Sequence, residues 1–237
     1  MNPSTRRPAL ILVLLALAIG AAFFADPAIV ACTAKTNGTW RQVAQQCSRF
    51  GDWPCLAALA LGAGILVWLR RDRGAMKLIS MMFLATLLAG AIVLPLRAFT
   101  GRARPHAPVE SGWHGPQCKS GEWVAGRHHY SSFPSAHTAI AAAFVAPLVA
   151  LGPRLSVSAW AVVLLIGWSR VYLGVHHLSD VTVGAILGRA CGFFVVESAV
   201  VRWWISRFIS ACCEPRRIRW VTRGGSASLG TQPMLAE

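Results

Sequence analysis

Three arginines, two histidines and one aspartate fall into three short clusters along a chain of 237 residues. The first cluster reads Arg97-Ala-Phe-Thr-Gly-Arg102-Ala-Arg104-Pro105, and the second Phe133-Pro134-Ser135-Ala136-His137-Thr138. The third joins Ser169-Arg170 to His176-His177-Leu-Ser-Asp180. Arg97, Arg104 and Arg170 supply planar donors that match phosphate oxygens. Ser135 and the free N–H groups of a helix start add further anion donors. Two histidines can divide a phosphoryl transfer, one attacking and the other protonating the leaving oxygen. Asp180 follows His176 by four residues, so on a helical turn the two share a face and the carboxylate can orient the imidazole. Such a set suits attack on a phosphate without a metal.

The elements that carry these clusters are apolar. Hydrophobic residues make up 55% of the chain and charged ones only 14%, against about 25% charged in an average soluble domain. Six apolar runs stand out: Pro8–Ala25, Trp53–Leu69, Leu78–Leu96, Pro134–Leu151, Ser156–Leu173 and Val181–Val201. Each is near the ~20 residues a membrane-crossing helix needs, though several are short. Together they leave no room for a sizeable soluble domain. The expectation is an all-α polytopic membrane protein with six transmembrane helices in one bundle over residues 1–201. An interfacial basic tail, partly disordered, is expected over 202–237. No internal repeat or low-complexity segment appears.

Arg6 and Arg7 before the first run faintly suggest a signal peptide. Its 17 uninterrupted apolar residues exceed a typical signal core of about 7–15, which favours an anchor. With the N-terminus inside, the inner segments hold 13 basic residues and the outer ones 9. The bias favours both termini inside and puts all three clusters on the outer face. The 31 residues between His137 and Ser169, broken at Gly152-Pro153, read as a helical hairpin returning the chain to that face. Arms of about 15 residues, or roughly 22 Å of helix, set the site at or just below the outer headgroups of a ~30 Å core.

The chain carries 23 Lys and Arg against 9 Asp and Glu, a formal charge of +14. The basic residues lie between apolar runs instead of along one stripe, so anionic lipid or a phosphate substrate is the expected partner and nucleic acid is not. Arg216–Arg223 reads as a basic tail on anionic lipid. Arg202–Cys213, with Trp203, Trp204 and Phe208, reads as a helix lying at the inner surface. Cys32 and Cys47 would lie outside, where a disulfide between them is one option and free thiols the other. His106, His114, His128, His129 and Cys118 lack compact metal-ligand spacing. Gly184, Gly188 and Gly192 suit close helix packing. Arg189 and Glu197, inside the last run, need a partner or water.

The clusters resemble the motifs of the type 2 phosphatidic acid phosphatase superfamily, membrane relatives of vanadium haloperoxidases and acid phosphatases. The first family motif is Lys, six residues, then Arg-Pro; Arg97 stands at the Lys position and Arg104-Pro105 match. The second is Pro-Ser-Gly-His, here Pro134-Ser135-Ala136-His137. The third is Ser-Arg, five residues, His, three residues, Asp, matched in full by Ser169, Arg170, His176 and Asp180. The resemblance implies that His176 attacks phosphorus to form a phosphohistidine, oriented by Asp180. His137 would protonate the leaving alkoxide and then activate water. Arg97, Arg104, Arg170, Ser135 and the amide of Ala136 would hold the phosphate, with no metal and no cofactor.

Two departures bear on rate. Arg97 for Lys turns a point donor into a wide fork, and Ala136 for Gly puts a methyl where backbone approaches phosphate. The reading is a metal-independent lipid phosphatase of a bacterial inner membrane, its site facing the periplasm. Undecaprenyl diphosphate, phosphatidic acid, phosphatidylglycerol phosphate and lipid A phosphate are all candidate substrates. A phosphotransferase using the same site is one alternative. A non-catalytic lipid-binding or transport protein with a decayed site is the other.

Overall fold

The computed structural model describes residues 3–33, 38–117 and 121–212. Eight helices follow in order: α1 Pro3–Thr33, α2 Thr39–Arg49, α3 Trp53–Leu69, α4 Arg73–Thr100, α5 Ala136–Val145, α6 Pro153–Tyr172, α7 Leu178–Glu197 and α8 Ala199–Cys212. Among the described residues there is no strand, only two isolated bridges in the long α4–α5 loop. The all-α class expected from the sequence is therefore met.

Four helices are each long and apolar enough to cross a membrane: α1 over Ala9–Thr33, α4, α6 and α7. The α2–α3 pair passes the same test together, with a 51° bend between them. Leu12 and Phe24 on α1, Leu164 on α6 and Phe193 and Phe194 on α7 are exposed. Apolar side chains turned outward on every long helix suit a lipid surround and would be anomalous in water. Helix α5 is shorter than the apolar run that contains it. It runs 10 residues as α-helix and hands over to a six-residue 3₁₀ segment, Ala146–Leu151, because Pro147 withdraws an N–H from the ladder. The 3₁₀ rise of about 2 Å per residue lengthens that arm to roughly 27 Å. The arm thus exceeds the roughly 22 Å of the sequence expectation.

Local chemistry sets the ends. Asp72 caps α4 by accepting from the N–H groups of Gly74 and Ala75, both at 3.0 Å, and Gly101 ends it in the left-handed region at φ 53°. A Cβ on Gly101 would collide with the backbone of Gly115, so only glycine lets the long loop fold back over the end of α4. At the start of α7, His177 is the N-cap and shares a capping box with Asp180.

Helices α5 and α7 share the most extensive contact in the bundle. The glycine stripe explains it: a Cβ at Gly184 would meet the carbonyl of Ser135 at 2.7 Å, and those at Gly188 and Gly192 would strike Ala139 and Ala146. Close backbone approach of this kind is what small residues supply in membrane bundles. Ala85 and Ala89 of α4, Ala143 of α5 and Cys191 and Val195 of α7 complete the core beneath the site. Arg189 and Glu197 are exposed on α7. Cys32 and Cys47 are free thiols, so the bridge between them is not formed; α2 packs against α6, which holds Cys47 there. Cys118 and the Arg216–Arg223 tail lie outside the described residues.

Candidate active site

The end of α4, the start of α5, the end of α6 and the start of α7 meet at one end of the bundle, and each brings one part of the predicted set. Arg97, in the last turn of α4, donates from Nε to the carbonyl of Pro134 at 2.9 Å. This bond ties the first cluster to the second. The backbone N–H of Ser135 donates to the carbonyl of Asp180 at 3.0 Å, which ties the second to the third. Arg170 lies at the end of α6, and the N–H of His176 donates back to its carbonyl at 3.3 Å. Convergence of the three clusters is thus a matter of direct hydrogen bonds.

Charge confirms the proximity. Arg97 lies within electrostatic reach of Arg104, Arg170 and Asp180, and His137 within reach of Arg97 and Arg170. Guanidiniums as close as Arg97, Arg104 and Arg170 repel one another, and an anion would relieve that repulsion. Four buried atoms there have no partner among the described residues: Nη2 of Arg97, Nε of Arg170 and both ring nitrogens of His176. Buried polar atoms are otherwise almost always satisfied; Nδ1 of His176 faces Asp180, and the other three are atoms that a bound anion would satisfy.

His176 is 1% exposed, with Nδ1 3.5 Å from Oδ2 of Asp180. The carboxylate favours the tautomer protonated on Nδ1, which leaves the Nε2 lone pair for attack. Burial, aided by Arg97 and Arg170, pushes the imidazole down to about 3 despite Asp180. It is therefore neutral across the physiological range. His128 is likewise held below the ordinary imidazole value, chiefly by the adjacent charge of Arg104.

Ser135 departs from expectation in detail. Its hydroxyl is fully buried and pairs with that of Thr138 at 3.1 Å. It braces the start of α5. Ala136 occupies the first position of α5. Arg104 donates from Nε to the carbonyl of His128 at 2.8 Å, so the long loop aims it.

Six residues outside the predicted set hold it together. Arg102, 7% exposed, bridges Asp26 of α1 at 2.8 Å and Asp180 at 2.5 Å. Its guanidinium also stacks over Phe23 and Trp113, 5.2 and 4.7 Å from the ring centroids. Ser179 donates to Asp26 from its backbone and its hydroxyl, and Ser132 donates to Asp180 at 2.5 Å. In this buried network, removing one partner would strand a charge, at a cost of about 3–5 kcal/mol. It also fixes α1 to the site. At the opposite wall, Ser48 accepts from Arg170 and Asp52 pairs with His137, both at 2.5 Å. A signal for the acids did exist: with only 9 in the chain, any acid at the edge of an apolar run is a candidate partner for this basic site.

A family model described as the PAP2 superfamily matches residues 74–204, more than half of the chain. The chain belongs to the PAP2 superfamily. All three clusters lie inside the matched region, whereas Asp26, Ser48 and Asp52 lie before it. A lipid A 1-phosphatase of Rhizobium etli is 32% identical over 120 residues, covering 51% of this chain and 48% of that protein. A lipid A 4'-phosphatase of Porphyromonas gingivalis is 36% identical over 76 residues, 32% of this chain and 31% of that one. The chain thus matches about half the length of the Rhizobium relative or less. Two crystal structures share the fold, each at TM-score 0.57. Aquifex aeolicus LpxE is 22% identical, covering 73% of this chain and 94% of that one. A transmembrane PAP2 type phosphatidylglycerolphosphate phosphatase from Bacillus subtilis is 24% identical, covering 79% and 91%. As a PAP2 protein with apolar spans and bacterial relatives, this is a bacterial membrane protein.

Proposed function

We propose that this PAP2 protein hydrolyses a phosphorylated lipid at the outer face of a bacterial inner membrane, through a phosphohistidine on His176. The observation that carries the reading is three buried atoms with no partner among the described residues, Nη2 of Arg97, Nε of Arg170 and Nε2 of His176. Nε2 of His176 attacks phosphorus, the P–O bond to the lipid breaks, and His137 gives a proton to the departing oxygen. His137 then takes a proton from water as that water attacks the phosphohistidine, which frees His176 and releases inorganic phosphate. Arg97, Arg104, Arg170 and the first N–H groups of α5, including that of Ala136, hold the phosphoryl oxygens. Their charge grows more valuable as negative charge builds in the transition state. No step calls on a metal or a cofactor.

The spans argue for a lipid. An apolar groove of about 630 Å³ between α1, α6 and α7 is lined by Trp160, Trp168 and Tyr172 and reaches Thr138, the neighbour of His137. It suits acyl chains of a molecule whose phosphate is at the site. Among phosphorylated lipids, the names of the Rhizobium and Porphyromonas relatives point to lipid A phosphates, and these head the list ahead of phosphatidylglycerol phosphate, phosphatidic acid and undecaprenyl diphosphate. The six-span arrangement counts α1, the α2–α3 pair, α4, the short α5 arm, α6 and α7, with both termini inside. Helix α8 rests on anionic lipid.

The test is phosphate release by the purified chain in detergent with EDTA, across a panel of these lipids, beside His176→Ala. The expected result is release by the native chain, with lipid A phosphates fastest. The variant is expected to lose at least ~10³-fold. Equal release from both proteins would overturn the nucleophile. Transfer of phosphate to an added lipid alcohol with no free phosphate would identify a phosphotransferase instead.

A further inference from the structure

The two histidines are not equally provided for in this reading: Asp180 orients His176 by sequence proximity, while the motifs supply nothing for His137. The structure does. Asp52 sits at the corner between α2 and α3, and its Oδ1 lies 2.5 Å from Nε2 of His137. We propose that Asp52 is the positioning residue of the general acid, holding His137 by Nε2 so that Nδ1 carries the proton to the leaving oxygen. The proposal rests on the reading of His137 as the acid and assigns that acid a partner from outside the three clusters.

Three observations support it. First, Asp52 is an N-cap residue that does not cap: its side chain makes no bond to the start of α3. The same protein shows the ordinary behaviour at Asp72, whose carboxylate accepts from two N–H groups of α4. Pro54, near the start of α3, has no N–H to offer, which leaves the Asp52 carboxylate free to turn to His137. Second, the corner is fitted to its task. A Cβ at Gly51 would stand 2.7 Å from Cγ2 of Ile166 and 3.4 Å from Cβ of His137, so glycine is what lets this segment lie against α5 and α6. Third, charge requires it. A protonated imidazole would stand beside the positive charges of Arg97 and Arg170, and among the described residues Asp52 is the one carboxylate in direct contact with it. Nδ1 makes no hydrogen bond among the described residues, so it remains available to substrate. When His137 releases its proton to the alkoxide it becomes neutral, and Asp52 stays a carboxylate throughout.

A positioning role for an acid makes a claim about leaving groups. Protonation matters greatly for an alkoxide, which leaves poorly, and little for a nitrophenoxide, which leaves without help. The experiment measures kcat/KM, which reports the steps up to departure of the alcohol. Its two substrates are a long-chain alkyl phosphate and a nitrophenyl phosphate bearing the same chain. The full-length protein is compared with Asp52→Asn, Asp52→Glu and His137→Ala. The expected result for Asp52→Asn is a loss of about 100-fold on the alkyl ester and under about 3-fold on the aryl ester. Asp52→Glu should recover most of the loss. Equal losses on both esters would overturn the proposal and mark Asp52 as a structural residue. So would a selective loss in His137→Ala that Asp52→Asn does not share, with the acid assignment left standing. If His137→Ala shows no selectivity, the acid reading itself fails and takes the Asp52 role with it.

Discussion

Two histidine–carboxylate pairs face each other across the site, and they are built in opposite ways. His176 and Asp180 are four residues apart, both fully buried, and held by one helix start. His137 and Asp52 are 85 residues apart and come from different helices, and the side chains are 24% and 46% exposed. The buried pair suits a nucleophile, which must stay neutral and in one orientation. The open pair suits an acid, which must trade its proton with water once per turnover. The contrast shows that burial divides the roles of two chemically identical imidazoles, a division that residue type alone does not reveal.

The comparison breaks first at Asp180, where the largest effect is expected. Its carboxylate also accepts from Arg102, Ser132 and the N–H of His177, at 2.5, 2.5 and 2.8 Å. Asp180→Asn keeps the size but presents an amide to that set and removes the preference for the Nδ1 tautomer. Loss in kcat/KM on the order of 10³–10⁴ is expected, equal on alkyl and aryl esters because attack, not departure, is impaired. A folded variant that loses less than 10-fold would show that burial alone orients His176.

How far the sequence could be read follows the same division. The three clusters carry their spacing within one segment of chain, so Arg97, Arg104, Arg170, His137, His176 and Asp180 were found by pattern, and the four long spans by apolar length. What pattern could not find were partners supplied by tertiary contact. Asp26, Ser48 and Asp52 precede the matched family region and meet the clusters only after α1 folds against α7 and α2 against α6. Arg102 lay in view between Arg97 and Arg104, but nothing in a sequence says that one of three nearby arginines turns inward to bridge two carboxylates while the others do not. The change of helix type within the run Pro134–Leu151 is not legible, because an apolar run reports burial in lipid and not helix type, and Pro147 converts its second half to 3₁₀.

The buried pair is sharpened by its pH behaviour. With His176 pushed down to about 3, it carries no charge between pH 8 and 5. An imidazole of ordinary pKa, near 6.5, would be only about 3% neutral at pH 5, a loss of roughly 30-fold in the attacking form. Ring-labelled histidine NMR in detergent, with His176→Gln for assignment, should show a His176 imidazole that does not titrate over this range. The sign for stability follows: the unfolded chain takes up a proton at this residue below about pH 6.5 and the folded chain does not. His176 therefore destabilises the fold progressively as pH falls from about 6.5 toward 3. A His176 signal that titrates near 6.5 would mean that the nucleophile is open to water.

The smallest effect is expected where the open pair is only loosened. Gly51 is not at a left-handed φ, so Gly51→Ala has no backbone penalty and acts through one methyl. That methyl meets Cγ2 of Ile166, a branched side chain with little freedom to turn away, so the α2–α3 corner must lift by a few tenths of an ångström. The Asp52–His137 bond lengthens while both partners and the overall charge are unchanged. A fall of about 3–10-fold in kcat/KM is expected on the alkyl ester alone. The same loss on both esters would place the strain on Arg170, which is held from the same side by Ser48. An unchanged rate on both would mean that the acid tolerates a displaced carboxylate and needs only the charge of Asp52 nearby, so the open pair would be an electrostatic arrangement with no fixed geometry.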